Sequence, residues 1–139
     1  MGKFIGEVGL FQHRNNCKRF WIKGQLVYEA NDGTNYVIKG GWHTDGRSDP
    51  LNCPIATCRL YKSLLHDLLY GAQVTTRKQA DQLFLEESEN IKTSKILRCK
   101  EYIGVRLGGW NAWNRATPKS REYYRQFIEV IPNEKLATD

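Results

Sequence analysis

The chain of 139 residues has no apolar run approaching the roughly 20 residues that a membrane-spanning helix requires, so no transmembrane segment is expected. Its start, "MGKFIGEVGLFQHR", lacks a continuous apolar stretch and a small-residue cleavage site, which argues against a signal peptide. Gly6 stands where N-myristoylation wants Ser or Thr, so that lipid anchor is excluded too. Cys17, Cys53, Cys58 and Cys99 contain no C-x-x-C pair. Cys53 and Cys58 with His43 or His66 match no common zinc spacing, and buried free thiols are the expectation. A Cys53–Cys58 bridge would need an oxidising compartment. Repeats and low-complexity tracts are missing. Acids are scarce in one third of the chain: from Lys92 to Arg125 there are nine Lys and Arg against only Glu101 and Glu122.

What is present is ordinary for one globular domain. Hydrophobic residues make up 40% and charged residues 26%, which excludes wholesale disorder and leaves enough apolar side chain for a core. The net charge of +6 is concentrated in the acid-poor third, where Trp110, Trp113, Tyr123 and Tyr124 are interleaved. Such a face suits an anionic phospholipid membrane surface, an acidic protein partner or nucleic acid; no nucleic-acid motif supports the last. A solvated helix face is the plain alternative.

Residues 1–41 read as a β region. "KFIGEVGLFQ", "KRFWIKGQLVYEA" and "TNYVIKG" alternate roughly in polarity, and "HRNNC" and "NDG" supply turns. Residues 42–54 form a loop rich in polar groups, residues 55–131 a helical part, and residues 132–139 a tail expected to fray. In the helical part, Tyr61, Leu64, Leu65, Leu68 and Leu69 follow i, i+3, i+4, i+7, i+8 spacing, an amphipathic helix ended by Gly71. Thr76 and Gln79 have capping-box spacing, with Ala80, Leu83 and Phe84 as the buried side of a second helix. "TSKILRCKEYIGVRLGGW" reads as a third, with Ile96, Cys99, Ile103 and Trp110 roughly in line and with Gly104, Gly108 and Gly109 weakening it. "SREYYRQFIEVI" fits a short helix or a strand. The fold class is α+β: an N-terminal antiparallel β meander packed on a C-terminal part of three to four helices, in a single domain.

Chemistry concentrates in "GGWHTDGRSDP" and "LLHDLLYG". Asp67 is rotated about 200° from Leu65 and points away from the leucine stripe, while Tyr70 shares the flank of His66 one turn on. Asp45, a carbonyl near Gly46 and Asp67 are hard oxygen donors of the kind calcium takes. If the two helices form a hairpin, Asp81 reaches His66; a carboxylate on one imidazole nitrogen fixes the tautomer and leaves the other nitrogen as a general base. The same residues also suit a buried polar network with no catalytic role.

The order Trp42, Asp45, Gly46, Ser48, then His66, Asp67, Tyr70, then Asp81 resembles the small secreted phospholipases A2 of the bacterial and fungal type, over about residues 42–85. That resemblance implies His66 as the base for water, Asp81 as its orienting partner, Tyr70 beside them, and calcium held by Asp67 with the Asp45–Gly46 loop. A longer likeness, from about Phe4 to Trp113, is to an uncharacterised family of tailed phages with the pattern G-F-x-T-D-G-A-S-x-P, H-D-x-L-Y, A-D-x-x-F and a helix bearing R-x-x-G-x-x-x-W. Here the counterparts are "GWHTDGRSDP", "LLHDLLYG", "QADQLF" and "VRLGGWNAW". It implies phage origin, a location in host cytoplasm or the virion, and other phage proteins as partners. A calcium-dependent ester hydrolase, a non-catalytic accessory or virion protein, and a basic nucleic-acid-binding or host-inhibitor protein are the three readings left open.

Overall fold

The computed structural model describes residues 2–13, 16–44, 57–90 and 94–134. Along the chain come β1 (Lys3–His13), β2 (Asn16–Glu29), β3 (Asn35–Lys39), β4 (His43–Thr44), α1 (Thr57–Ala72), α2 (Arg77–Asn90), α3 (Lys95–Asn114), α4 (Pro118–Arg125) and β5 (Ile128–Ile131). The fold is α+β, as the patterning indicates. Its β strands make one antiparallel sheet in the order β1-β2-β3-β5, with β4 pairing the early part of β2.

The β1–β2 hairpin is long and in continuous register from Lys3↔Glu29 to Gln12↔Phe20. Period-2 alternation sends Ile22, Leu26 and Tyr28 of β2 to the buried side while Lys23 and Gln25 face water. After β3 the chain runs on along β2 through Gly40-Gly41, and β4 keeps the ladder from Gln25↔Lys39 to Trp21↔His43. Gly41 adopts φ +107, a conformation that favours glycine, and its N–H donates to the Ile22 carbonyl at 2.7 Å. Trp42, next in the chain, is buried in the core with its ring edge-on to Tyr124.

The helices cover the sheet. Leu64, Leu65, Leu68, Leu69 and Ala72 of α1 are fully buried with Ile22, Leu26, Ile38 and Ile128, the stripe expected from their spacing. Burying one leucine side chain is worth about 1.5–3 kcal/mol, so this stripe is the main apolar contact between the layers. The α2 cap is the anticipated capping box: Thr76 N donates to Gln79 Oε1 at 2.9 Å and Gln79 N donates to Thr76 Oγ1 at 3.2 Å. At the other end of α2, Tyr28 Oη donates to Glu86 Oε1 at 2.6 Å, and the same oxygen accepts from Asn31 N at 2.9 Å. These bonds fix α2 to the β2–β3 turn.

The segment that suits helix or strand is both in succession. Thr117 caps α4, with Pro118 at its first turn, and the β-branched run Ile128–Ile131 then pairs antiparallel with β3 from Asn35↔Ile131 to Ile38↔Ile128. The stretch 55–131 therefore ends by returning to the sheet.

Candidate functional site

Asp81, 0% exposed, is the point on which three helices converge. It lies one turn after Arg77 on α2, on the side of that helix that also buries Ala80 and Phe84. The Gln73–Thr76 turn reverses the chain so that α2 runs back along α1, and this sets Asp81 beside His66 and Tyr70. His66 Nε2 and Asp81 Oδ1 are 2.8 Å apart. Tyr70 Oη donates to the same oxygen at 2.7 Å. The second oxygen, Oδ2, accepts from Arg106 Nη1 of α3 at 2.6 Å and has Arg77 Nη1 at 3.6 Å. Arg77 Nη1 also donates to the Arg106 carbonyl at 2.9 Å, tying the two arginines together.

Aromatic rings wall the cluster. The His66 ring lies 4.2 Å from that of Tyr70 and 4.9 Å from that of Phe84, and Trp113 meets Tyr70 edge-on at 5.2 Å. Gly109 of α3 is what lets Tyr70 reach its place: a Cβ there would collide with the Tyr70 hydroxyl. Arg106, Gly109 and Trp113 are spaced i, i+3, i+7 and so share one face of α3. The R-x-x-G-x-x-x-W spacing thus has a physical meaning here: one residue binds Asp81, one makes room for Tyr70, and one packs on it.

Electrostatics follow from this geometry. Burial alone would raise the Asp81 carboxyl, but hydrogen bonds with His66, Tyr70 and Arg106 outweigh it and hold Asp81 below the usual carboxylate range. The carboxylate is therefore ionised at neutral pH. Burial, followed by the bond to Asp81, pushes the Tyr70 phenol up, so its hydroxyl stays a donor. Facing an ionised acceptor, His66 carries its proton on Nε2, and in the neutral ring Nδ1 is then the basic nitrogen.

Of the residues singled out from sequence, His66, Tyr70 and Asp81 are brought together. Asp67 follows His66 on α1 and is half-buried. Asp45 and Gly46 lie outside the described residues, as do Arg47, Ser48 and Cys53, so their part in a calcium site is not placed. Calcium takes six to eight oxygens, and Asp67 is the one candidate ligand among the described residues. Among those residues no group of three or more His, Cys, Asp or Glu is assembled to hold a metal ion. Cys99 is a free thiol but an exposed one, not buried as expected. Sequence reasoning missed Arg77 and Arg106. Arg77 carried a local signal, standing four residues before Asp81 on the same helix. Arg106 is 25 residues away from Asp81, and its role shows only in the spacing it shares with Gly109 and Trp113.

A model of a family of proteins of unknown function, DUF1353, matches residues 20–105, more than half of the chain. The chain belongs to this family. The DUF1353 match runs from β2 into α3, so it takes in His66, Tyr70, Arg77 and Asp81 and stops one residue before Arg106. No curated protein and no solved structure matches this DUF1353 chain.

Proposed function

We propose that the protein is a phage-encoded, calcium-dependent ester hydrolase of the phospholipase A2 kind, with His66 as the base that takes a proton from water. The observation that supports it is the 2.8 Å contact between His66 Nε2 and Asp81 Oδ1, with Tyr70 donating to the same oxygen. His-Asp-x-x-Tyr on one helix and an orienting Asp on the next is the order that the phospholipase resemblance calls for. Asp81 holds the ring so that Nδ1 takes the proton, and Asp81 stabilises the imidazolium that forms. Tyr70 and Arg106 keep Asp81 ionised and in place. Asp67, Asp45 and a carbonyl near Gly46 are the groups that would hold calcium, which when bound supplies positive charge to a developing oxyanion.

The test is fatty-acid release from mixed phospholipid vesicles in calcium and in chelator. Release is expected in calcium alone, and His66→Gln should lower it by about 10²–10⁴-fold, the usual contribution of a general base. Equal release in both solutions overturns the proposal.

A second reading, a non-catalytic phage accessory or virion protein, is favoured by burial. His66 is 3% exposed and both Asp81 oxygens are engaged, as in a satisfied network that locks three helices. Melting of the wild type and of Asp67→Ala with and without calcium separates the two. A calcium-dependent rise in Tm that Asp67→Ala removes supports the hydrolase; a melting temperature that calcium never moves supports the network.

A further inference from the structure

We propose that the outer face of α3 docks on an anionic lipid bilayer. Ile96, Ile103, Leu107 and Trp110 are 71, 55, 77 and 58% exposed. At about 100° per residue these four fall within an arc of about 60°, and the stripe runs about 21 Å along the helix. Glu101 and Val105 occupy the opposite side and are buried. Four large apolar side chains in one line on open surface mark a face meant to be covered.

Charge selects what covers it. At about 100° per residue Lys100 and Lys95 flank the stripe and Arg115 caps the helix, while its single acid, Glu101, is buried on the far side. A second copy laid on this face would bring these cations against their own kind. A protein partner would have to supply a groove shaped to this ridge. A layer with negative head groups over an apolar interior meets both the cations and the ridge without needing a complementary shape. Trp110, at one end, has the amphipathic ring suited to that boundary, and the Arg77 guanidinium lies 5.2 Å from its ring centre. Arg77 and Arg106 both reach Asp81, so the docking face adjoins the His66 cluster. The inference stands on α3 and does not depend on hydrolysis.

The experiment is co-sedimentation of the full chain with vesicles of phosphatidylglycerol and phosphatidylcholine, and with vesicles of phosphatidylcholine alone. Binding is expected on the anionic vesicles, weakening as salt is raised, with a blue shift of tryptophan emission that Trp110→Phe removes. Leu107→Glu, with unchanged circular dichroism, should weaken binding at least about tenfold, since one buried leucine is worth that much in partitioning. Unchanged binding by Leu107→Glu, or equal binding to both vesicle types, overturns the proposal. So does a dimer in sedimentation velocity that Leu107→Glu dissociates, which would assign the face to a second copy.

Discussion

Helices α1 and α3 are the two longest and both carry apolar residues at helical spacing, yet they are turned opposite ways. In α1 the leucines face the sheet and every one from Leu64 to Leu69 is buried. In α3 the apolar line faces outward, and the inward side holds Glu101, Gly109 and Arg106 with Val105 and Trp113. The contrast shows that periodicity identifies a helix without saying which of its sides the core takes. For α3 the side is decided by specific partners: Asp81 draws in Arg106, and Tyr70 needs the space that Gly109 leaves.

The sharpest break in that comparison is at the node itself. Asp81→Ala leaves a buried imidazole, a hydroxyl and the Arg106 cation without their shared acceptor, and should cost about 3 kcal/mol or more in denaturant unfolding. Leu68→Ala on α1 should lose a similar amount, about 3 kcal/mol, through the cavity it opens. Leu107→Ala on α3 should stay within about 0.5 kcal/mol of wild type; a loss as large as that of Leu68→Ala would mean the outer face is packed. The adjacent glycines of α3 give a finer contrast. Gly109→Ala forces Tyr70 aside and should destabilise by about 1–3 kcal/mol. Nothing stands within 4 Å of a Cβ at position 108, so Gly108→Ala should stabilise by about 0.8 kcal/mol through helix propensity.

Acid titration offers the smallest effect. The Asp81 carboxyl is held below its unfolded value, so its contribution is complete above that value, about 3.9, and is lost as pH falls through the folded one. Stability should therefore decline below about pH 4 in the wild type and more gently in Asp81→Asn. Identical slopes in the two proteins would show that Asp81 titrates alike when folded and unfolded.

Much of the fold was legible in the sequence because it rests on local rules. Alternation marked β1, β2 and β3, leucine spacing marked α1, and Thr76 with Gln79 marked the start of α2. The Ile128–Ile131 strand was ambiguous because its pairing with β3 is contact between residues far apart, which no window of sequence displays. The glycines of α3 read as weaknesses of a helix, whereas Gly109 is a steric requirement set by a residue on α1. Within the candidate site, His66 and Asp81 could be paired from their order and the short turn between two helices. The arginines could not, because a cation on a basic chain is unremarkable until the buried acid it meets is placed.

The pairing of β5 with β3 bears on how the protein is made. β3 emerges from the ribosome about ninety residues before its last neighbour, so a nascent chain holds an unsatisfied strand border throughout synthesis of every helix. Assembly is complete only when the final strand arrives, a late long-range closure of the sort that slows folding and leaves a chain open to aggregation meanwhile.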